Sequence, residues 1–380
     1  MHKNILKRTR LFIKGVLEGT LWLFARWVRT PKQPLESPGS IFVLRNNDIG
    51  DLLISTPIFE ALRRKFPDAY IVAGVGKWNI EILKLNPHIS EVLAINAPWH
   101  NKVIQNRSHL RKMAYVVFSS ESRELARRHF DIGIDIVGSR WGSLLMLRAG
   151  IPYRLGVKGY AGGYGAVQKY VEYNPREHVC RSTLRFAELL QATELPEIRP
   201  QIFLSPQERE AGESLWSQKS AGSHQRSIRI VIGHGGGFKT KCWPLENYTA
   251  LVSVLSALDN VEIAIVGNKQ DRETAGQILT TSPTICNLAG RLSLRETFAL
   301  VASADLVICN SSMLMHTAAA FLKPAIVLLG EHFISAKQHD AQWGWKGSSI
   351  ILGKETGQRD KIYTPDKAMA VINSVLSSLP

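Results

Sequence analysis

The chain has 380 residues, 45% of them apolar and 21% charged, and a formal net charge of +15. This balance excludes a disordered chain and leaves room for two domains of ordinary size. It calls for an anionic partner without separating nucleic acid, phosphorylated lipid and anionic membrane. Cys180, Cys242, Cys286 and Cys309 stand far apart and no HExxH or comparable cluster occurs, so neither a disulfide-stapled secreted fold nor a bound metal is expected.

Residues 1–35 form a distinct basic segment. Lys3, Lys7, Arg8, Arg10, Lys14, Arg26 and Arg29 are set against Glu18 alone, and interleave with Leu11, Phe12, Val16, Leu17, Trp22, Leu23 and Trp27. The stretch from Leu11 to Val28 approaches the length of a bilayer span, but Lys14, Glu18 and Arg26 interrupt it. No small-residue cleavage site follows the apolar part. The mixture predicts a helix lying in the membrane interface, with tryptophan and leucine at the headgroup boundary and basic side chains on anionic lipid. A helix packed on the globular body with its basic face in water is the competing reading.

Beyond the proline-containing linker the pattern becomes regular. Ile41–Leu44 reads as a strand, followed by RNNDIGD and the helical LLISTPIFEALRRKFP, whose apolar stripe is Leu52, Ile58, Leu62 and Phe66 and whose first turns Pro57 bends. Ala69–Val75, Glu91–Ile95, Met113–Ser119 and Ile132–Val137 are further strand candidates, the third ambiguous with a helix end. Together they predict a parallel-sheet domain over residues 36–195. Residues 196–225 are less regular and serve as an interdomain crossover. A second series over residues 226–360 runs from the strand IRIVIGH through LENYTALVSVLSAL, VEIAIVG, SLRETFALVASA, DLVICN and MLMHTAAAFLK to PAIVLLG. Ser293 and Glu296 have capping-box spacing, and residues 361–380 end the chain as a helix. The fold class is α/β, with ligands expected in a cleft beyond the carboxyl ends of the strands.

Asp51 follows Ile49-Gly50 just past the first strand, where Gly50 suits a tight strand-to-helix turn. A carboxylate there can deprotonate an acceptor hydroxyl or, as aspartates commonly do, cap the helix. His234-Gly235-Gly236-Gly237-Phe238-Lys239-Thr240-Lys241 offers close-approaching amides and cations to a pyrophosphate, yet fits neither GxxxxGK[ST] nor GxGxxG; a solvated loop is the alternative. Asn310, Ser311 and Ser312 open a helix whose free amides can receive phosphate or be capped. His316, on the same helix, could bind substrate, but a single partly buried histidine more often satisfies a local hydrogen bond.

Three ordered blocks, FVLRNNDIGDLLISTPIFEALRRKFPDA, GHGGGFKTKCWPLENYTAL and LAGRLSLRETFALVASADLVICNSSMLMHTAAAFLKPAIVLLG, make residues 40–380 resemble the heptosyltransferase family of glycosyltransferases, which build the inner core of bacterial lipopolysaccharide. The resemblance implies a GT-B fold, two facing Rossmann-like domains with acceptor on the N-terminal and nucleotide-sugar donor on the C-terminal side. It makes Asp51 the proposed base and Lys241 a contact to donor phosphate, with Trp243 and Pro244 shaping that loop. Gly235, Gly236, Gly237, Lys239, Thr240, Asp271, Asn310, Ser311, Ser312 and His316 become donor-side residues, with Asp271 on the ribose; Arg45, Asn47 and Gly50 become acceptor-side residues. Ser311, Met313 and Leu314 depart from the family's Asn-Asp-Ser-Gly-Pro-Met-His loop, and Gly330-Glu331-His332-Phe333 from its Pro-Thr-Asp segment.

The implied reaction is a metal-free, inverting displacement with no cofactor beyond the co-substrate. The sugar comes from a nucleotide sugar, ADP-heptose in the first instance, and goes to a lipid A-core-like or other phosphorylated glycolipid at the cytoplasmic face of the inner membrane. Arg107, Arg111, Lys112, Arg148, Arg154 and Lys158 are expected to guide that acceptor. A sugar-nucleotide or envelope-glycan binding protein with little turnover is the alternative; specific nucleic-acid binding is not expected, because no recognition module accompanies the charge.

Overall fold

The computed structural model describes residues 15–23, 25–26, 33–216, 227–278, 285–356 and 363–379. The chain divides into two compact units, residues 1–198 and 199–380. The dividing point lies near the start of the expected crossover. Helix Pro206–Ser214 belongs to the second unit, where Glu208 pairs with Arg295 on helix Leu294–Ala302.

The first unit holds six strands, β1 Ser40–Leu44, β2 Tyr70–Val75, β3 Glu91–Ala94, β4 Ile132–Asp135, β5 Tyr153–Lys158 and β6 Lys169–Glu172, in the order β3-β2-β1-β4-β5-β6. The second holds β7 Ile228–Gly233, β8 Val261–Ile265, β9 Ile285–Asn287, β10 Leu306–Cys309, β11 Ala325–Leu328 and β12 Ser349–Leu352, in the order β12-β11-β10-β7-β8-β9. All pairings are parallel. Both sheets thus have the Rossmann strand order, and in each the order reverses beside the unit's first strand. The near-continuous apolar runs of β1, β7 and β10 are buried, as a sheet covered on both faces requires.

Several expectations are corrected. The Met113–Ser119 stretch is not a strand: Val116 and Tyr115 pack inward from helix His109–Phe118, with Tyr115 edge-on to Trp99 at 5.3 Å. Pro57 does not bend one helix but starts a second, because the helix Ile49–Leu53 ends before it and Pro57–Lys65 begins with the ring in the first turn, where no N–H is needed. Gly50 is not the turn residue: it lies inside helix Ile49–Leu53 and is absent from the positive-φ glycines. Arg154 cannot guide a ligand from the surface; it is fully buried, with Nε donating to the Ala166 carbonyl at 2.7 Å, and burial lowers its pKa to about 10. The capping box is as read: Glu296 N donates to Ser293 Oγ at 3.2 Å and Ser293 N to Glu296 Oε2 at 2.7 Å.

Residues 15–23 are helical, while Lys3, Lys7, Arg8, Arg10, Leu11, Phe12, Lys14, Trp27 and Arg29 lie outside the described residues. This helix packs on the first unit through Leu21, and Ala25 just beyond it joins the contact, both against Ala166, Leu144 and Leu147. Glu18, which interrupts the apolar pattern in sequence, is buried here, and its carboxylate accepts the Gly163 and Gly165 amides, each at 2.8 Å. Val16, Leu17, Trp22 and Leu23 remain exposed on the other side. The packed-helix reading therefore describes one face and leaves an apolar face uncovered. No described helix is long and apolar enough to cross a membrane.

Candidate functional site

In the first unit the strand order reverses between β1 and β4, and the chemistry gathers at their carboxyl ends. Arg45 directly follows β1; its Nε donates to the Asp51 carbonyl oxygen at 3.1 Å, and Nη2 lies 3.6 Å from Asp51 Oδ1. Burial lowers the Arg45 pKa, and the charges of Asp51, Asp135 and Tyr160 oppose that shift. A guanidinium enclosed in this way remains a cation, so it attracts the neighbouring carboxylate by charge while its hydrogen bond holds the Asp51 backbone. Asp51 sits in the first turn of helix Ile49–Leu53, half-exposed. Asp48, not Asp51, is the N-cap residue; its Oδ1 accepts the Lys102 amide at 2.9 Å. The structure thus gives Asp51 an ion pair rather than a cap, and leaves its carboxylate accessible.

Asn47 keeps its backbone carbonyl occupied, accepting from Trp78 Nε1 at 3.0 Å and Asn79 Nδ2 at 2.8 Å. Its Oδ1 is buried without a hydrogen-bond partner among the described residues.

Two participants are missing from the sequence reading. Asp135 ends β4 in register with Leu44 and is buried. Its Oδ2 accepts the Ser139 amide at 2.8 Å and its Oδ1 the Val137 amide at 3.1 Å. Burial nevertheless pushes its pKa up to about 6, against the lowering effect of those hydrogen bonds. Tyr160 lies on the loop after β5; burial, then Asp51, raise its pKa. That loop is tied down twice, by a bridge between Ala161 and Ser139 and by the Glu18 carboxylate. Gly165 is required there, since a Cβ would lie 2.2 Å from the Glu18 carbonyl oxygen. An aspartate closing an apolar strand was a visible signal for Asp135; the pairing of β4 beside β1 was not visible.

In the second unit the corresponding position lies between β7 and β10. His234 follows β7 and its Nε2 is 2.8 Å from Thr274 Oγ1. Asp271 opens helix Asp271–Ile278, accepts the Asn268 amide at 2.8 Å and lies against the glycine loop. A Cβ on Gly235 would be 2.4 Å from Asp271 Oδ2, and one on Gly236 2.8 Å from Cys242 Sγ, so these glycines are there because carboxylate and sulfur occupy the space. Lys239 and Thr240 are exposed. Lys239–Lys241 form a single 3-10 turn, and the Lys241 ammonium sits over the rings of Phe238 and Phe333, 5.2 and 5.6 Å from their centroids. These cation–π contacts give a half-buried lysine a preferred position. Burial and then Lys241 push the nearby His339 down to about 4, so its imidazole is neutral at physiological pH.

Asn310 joins the loops rather than facing outward. It is fully buried; Oδ1 accepts from Trp243 N at 2.9 Å and Tyr248 Oη at 3.0 Å, while Nδ2 donates to the carbonyls of His234 at 2.5 Å and Gly235 at 3.2 Å. Ser312 caps helix Met313–Ala320, its Oγ accepting the Leu314 amide at 3.4 Å, with half-buried Ser311 beside it. His316 is buried, with Nδ1 accepting from Trp345 Nε1 at 2.9 Å. The predicted donor-side residues therefore fall into two sets. The glycines, Lys239, Thr240, Lys241, Asp271, Ser311 and Ser312 border the strand ends, whereas Asn310 and His316 support them from within.

Residues 119–362 match the family model for glycosyltransferase family 9 (heptosyltransferase). The chain is similar to lipopolysaccharide heptosyltransferase 2 of Escherichia coli (strain K12), 25% identical over 312 residues that cover 76% of this chain and 82% of that protein. Its fold is similar to the glycosyl transferase family 9 protein from Veillonella parvula DSM 2008, with a TM-score of 0.74 at 17% identity, covering 92% of this chain and 100% of that one. It is also similar to E. coli ADP-heptose lps heptosyltransferase II, with a TM-score of 0.68 at 20% identity over 89% and 99% of the two chains. These likenesses assign the pair of Rossmann-like units to the GT-B fold.

Proposed function

The chain belongs to glycosyltransferase family 9, the heptosyltransferases, and from that premise we propose that it transfers heptose from ADP-heptose to a lipopolysaccharide-core or related lipid-linked glycan. The observation that carries this reading is the exposed side of the Arg45–Asp51 pair: an accessible carboxylate, oriented by a buried cation, at the reversal point of the first sheet.

In the proposed reaction Asp51 accepts the proton of the acceptor hydroxyl as its oxygen attacks the anomeric carbon. The bond from that carbon to the nucleotide diphosphate breaks in the same step, so the configuration inverts and no covalent sugar–enzyme intermediate forms. Lys241 and the Gly235–Gly237 amides oppose the charge that develops on the leaving diphosphate, with Lys239, Thr240 and the start of helix Met313–Ala320 as further contributors. Asp271 is assigned to the donor ribose. No step calls for a metal.

The acceptor is lipid-linked, which places the work at the cytoplasmic face of an inner membrane, where the basic N-terminal segment holds the protein peripherally. The uncovered Val16, Leu17, Trp22 and Leu23 support that attachment. The test is to incubate purified protein with ADP-heptose and competing nucleotide sugars in the presence of extracted lipid-linked acceptor, and to identify the product glycan by mass. Gain of one heptose is expected. Donor binding without a new glycan from any donor would leave a sugar-nucleotide binding protein instead.

A further inference from the structure

Residues 101–118, NKVIQNRSHLRKMAYVVF, contain Lys102, Arg107, Arg111 and Lys112 and no carboxylate. The segment is well anchored on one side. Trp99 is buried, and Asn101 Nδ2 donates to the carbonyls of Ala97 at 2.9 Å and Trp99 at 3.1 Å. Ser108 caps the helix by accepting the Arg111 amide at 3.3 Å. Tyr115 and Val116 turn inward onto Trp99 and its neighbours.

The other side is inverted relative to an ordinary surface helix. Leu110, Met113, Ala114, Val117 and Phe118 follow the i, i+3, i+4, i+7, i+8 spacing that normally marks the face turned toward a core. Here Leu110 is 83% and Phe118 69% exposed, with Met113 and Ala114 also exposed and Val117 half-buried. Val103 and Ile104 extend the exposed apolar surface along the preceding loop.

Nor is this surface isolated. Helix Arg140–Arg148 lies between the helix His109–Phe118 and the N-terminal helix: Trp141 meets His109 at 5.7 Å, and Leu144 packs toward both the Trp99 cluster and Leu21. Two helices of one unit, each packed against helix Arg140–Arg148, thus present exposed apolar side chains.

We propose that the outward stripe of residues 103–118 is a second lipid-insertion element. Its partner is an anionic bilayer surface: Leu110, Met113 and Phe118 enter the headgroup–acyl boundary, and Arg107, Arg111 and Lys112 meet the lipid phosphates. The combination of exposed apolar side chains with a carboxylate-free basic flank suits an anionic lipid surface rather than a neutral one. The proposal builds on the reading of a lipid-linked acceptor but concerns binding that can be measured without transfer. With contact at two elements, the first unit is held to the membrane in a fixed attitude rather than swinging from one helix.

The experiment uses the full-length protein and vesicles of phosphatidylglycerol with phosphatidylcholine, compared with phosphatidylcholine alone. Wild type should sediment with the anionic vesicles. Leu110→Ser with Phe118→Ser should weaken that partition by roughly tenfold or more, and Arg107→Gln with Arg111→Gln should weaken it on anionic vesicles only. Both pairs are surface changes, so melting temperature should stay at the wild-type level for both, and turnover of a water-soluble acceptor fragment should stay there for the Leu110→Ser, Phe118→Ser variant. Unchanged vesicle binding by both double variants, with binding abolished by deletion of residues 1–30, would overturn the proposal and leave the N-terminal segment as sole anchor. A wild-type dimer that the Leu110→Ser, Phe118→Ser variant dissolves would also overturn it, in favour of a second copy as occupant. Failure of every form to transfer sugar would sink the catalytic reading while leaving these binding results interpretable.

Discussion

The two sheets reverse at equivalent points and have the same strand order, yet the loops at those points have opposite chemistry. At the first, RNNDIGD brings a buried guanidinium against Asp51 within the field of Asp135, so charge is balanced internally. At the second, HGGGFKTK brings backbone amides and two lysines together, with Asp271 set behind Gly235. Strand order therefore decides where a site forms, and loop composition decides what it can bind. A balanced site suits a carboxylate that must exchange a proton; a cationic, amide-rich one suits a polyphosphate.

The comparison breaks most sharply at Asp51. Asp51→Asn should lower turnover by roughly 10³-fold, within the range for loss of a general base, while donor affinity measured by calorimetry stays unchanged. Turnover near wild type at saturating donor and acceptor would remove Asp51 from the chemistry.

The charge balance of the first site has a pH signature. Asp135 titrates at about 6 when folded against an ordinary 3.8, because burial disfavours its charge. Between those values the folded chain holds a proton that the unfolded chain has released. The stability conferred by the protonated form is present below the lower value and is lost as pH rises through about 6, a change on the order of 3 kcal/mol. Urea unfolding followed by tryptophan fluorescence should show this fall between pH 4 and pH 7, and Asp135→Asn should flatten it. The same pH dependence in both proteins would assign the effect elsewhere.

On the donor side, Lys241→Ala should raise the donor Kd and lower kcat, with a combined loss in kcat/KM of roughly 10²-fold. Isothermal titration with ADP is the direct check, and affinity equal to wild type would make the ammonium a structural partner of Phe238 and Phe333. The smallest effects should come from adding one methyl group at each site. Gly235→Ala presses on Asp271 and should weaken donor binding by about tenfold. Gly165→Ala presses on the Glu18 clamp and should raise acceptor KM by a similar factor; each contact is worth about 1–3 kcal/mol. Crossed effects, with donor affinity following Gly165 and acceptor KM following Gly235, would dissolve the distinction between the sites.

Much of this molecule is determined locally. Apolar runs alternating with helical stripes, the capping box at Ser293 and Glu296, and Asp51 and the glycine loop at strand ends all follow from residues a few positions apart, so the α/β class and both loops were legible in the sequence. The tertiary structure decided what lies beside those loops. The charge of Asp135 acts on Arg45 only because β4 pairs with β1, and Asn310 is a buried joint because four groups from distant segments converge on it. Arg154 reads as a surface cation until the carbonyl of Ala166 encloses it. Helix His109–Phe118 shows the limit most plainly. Its short apolar run fits a strand or a helix equally well, and its periodicity defines a stripe without saying whether that stripe turns inward. Packing of Tyr115 and Val116 against Trp99 settled both, because a periodic pattern specifies which side chains share a face, whereas only contacts between remote segments determine what that face meets.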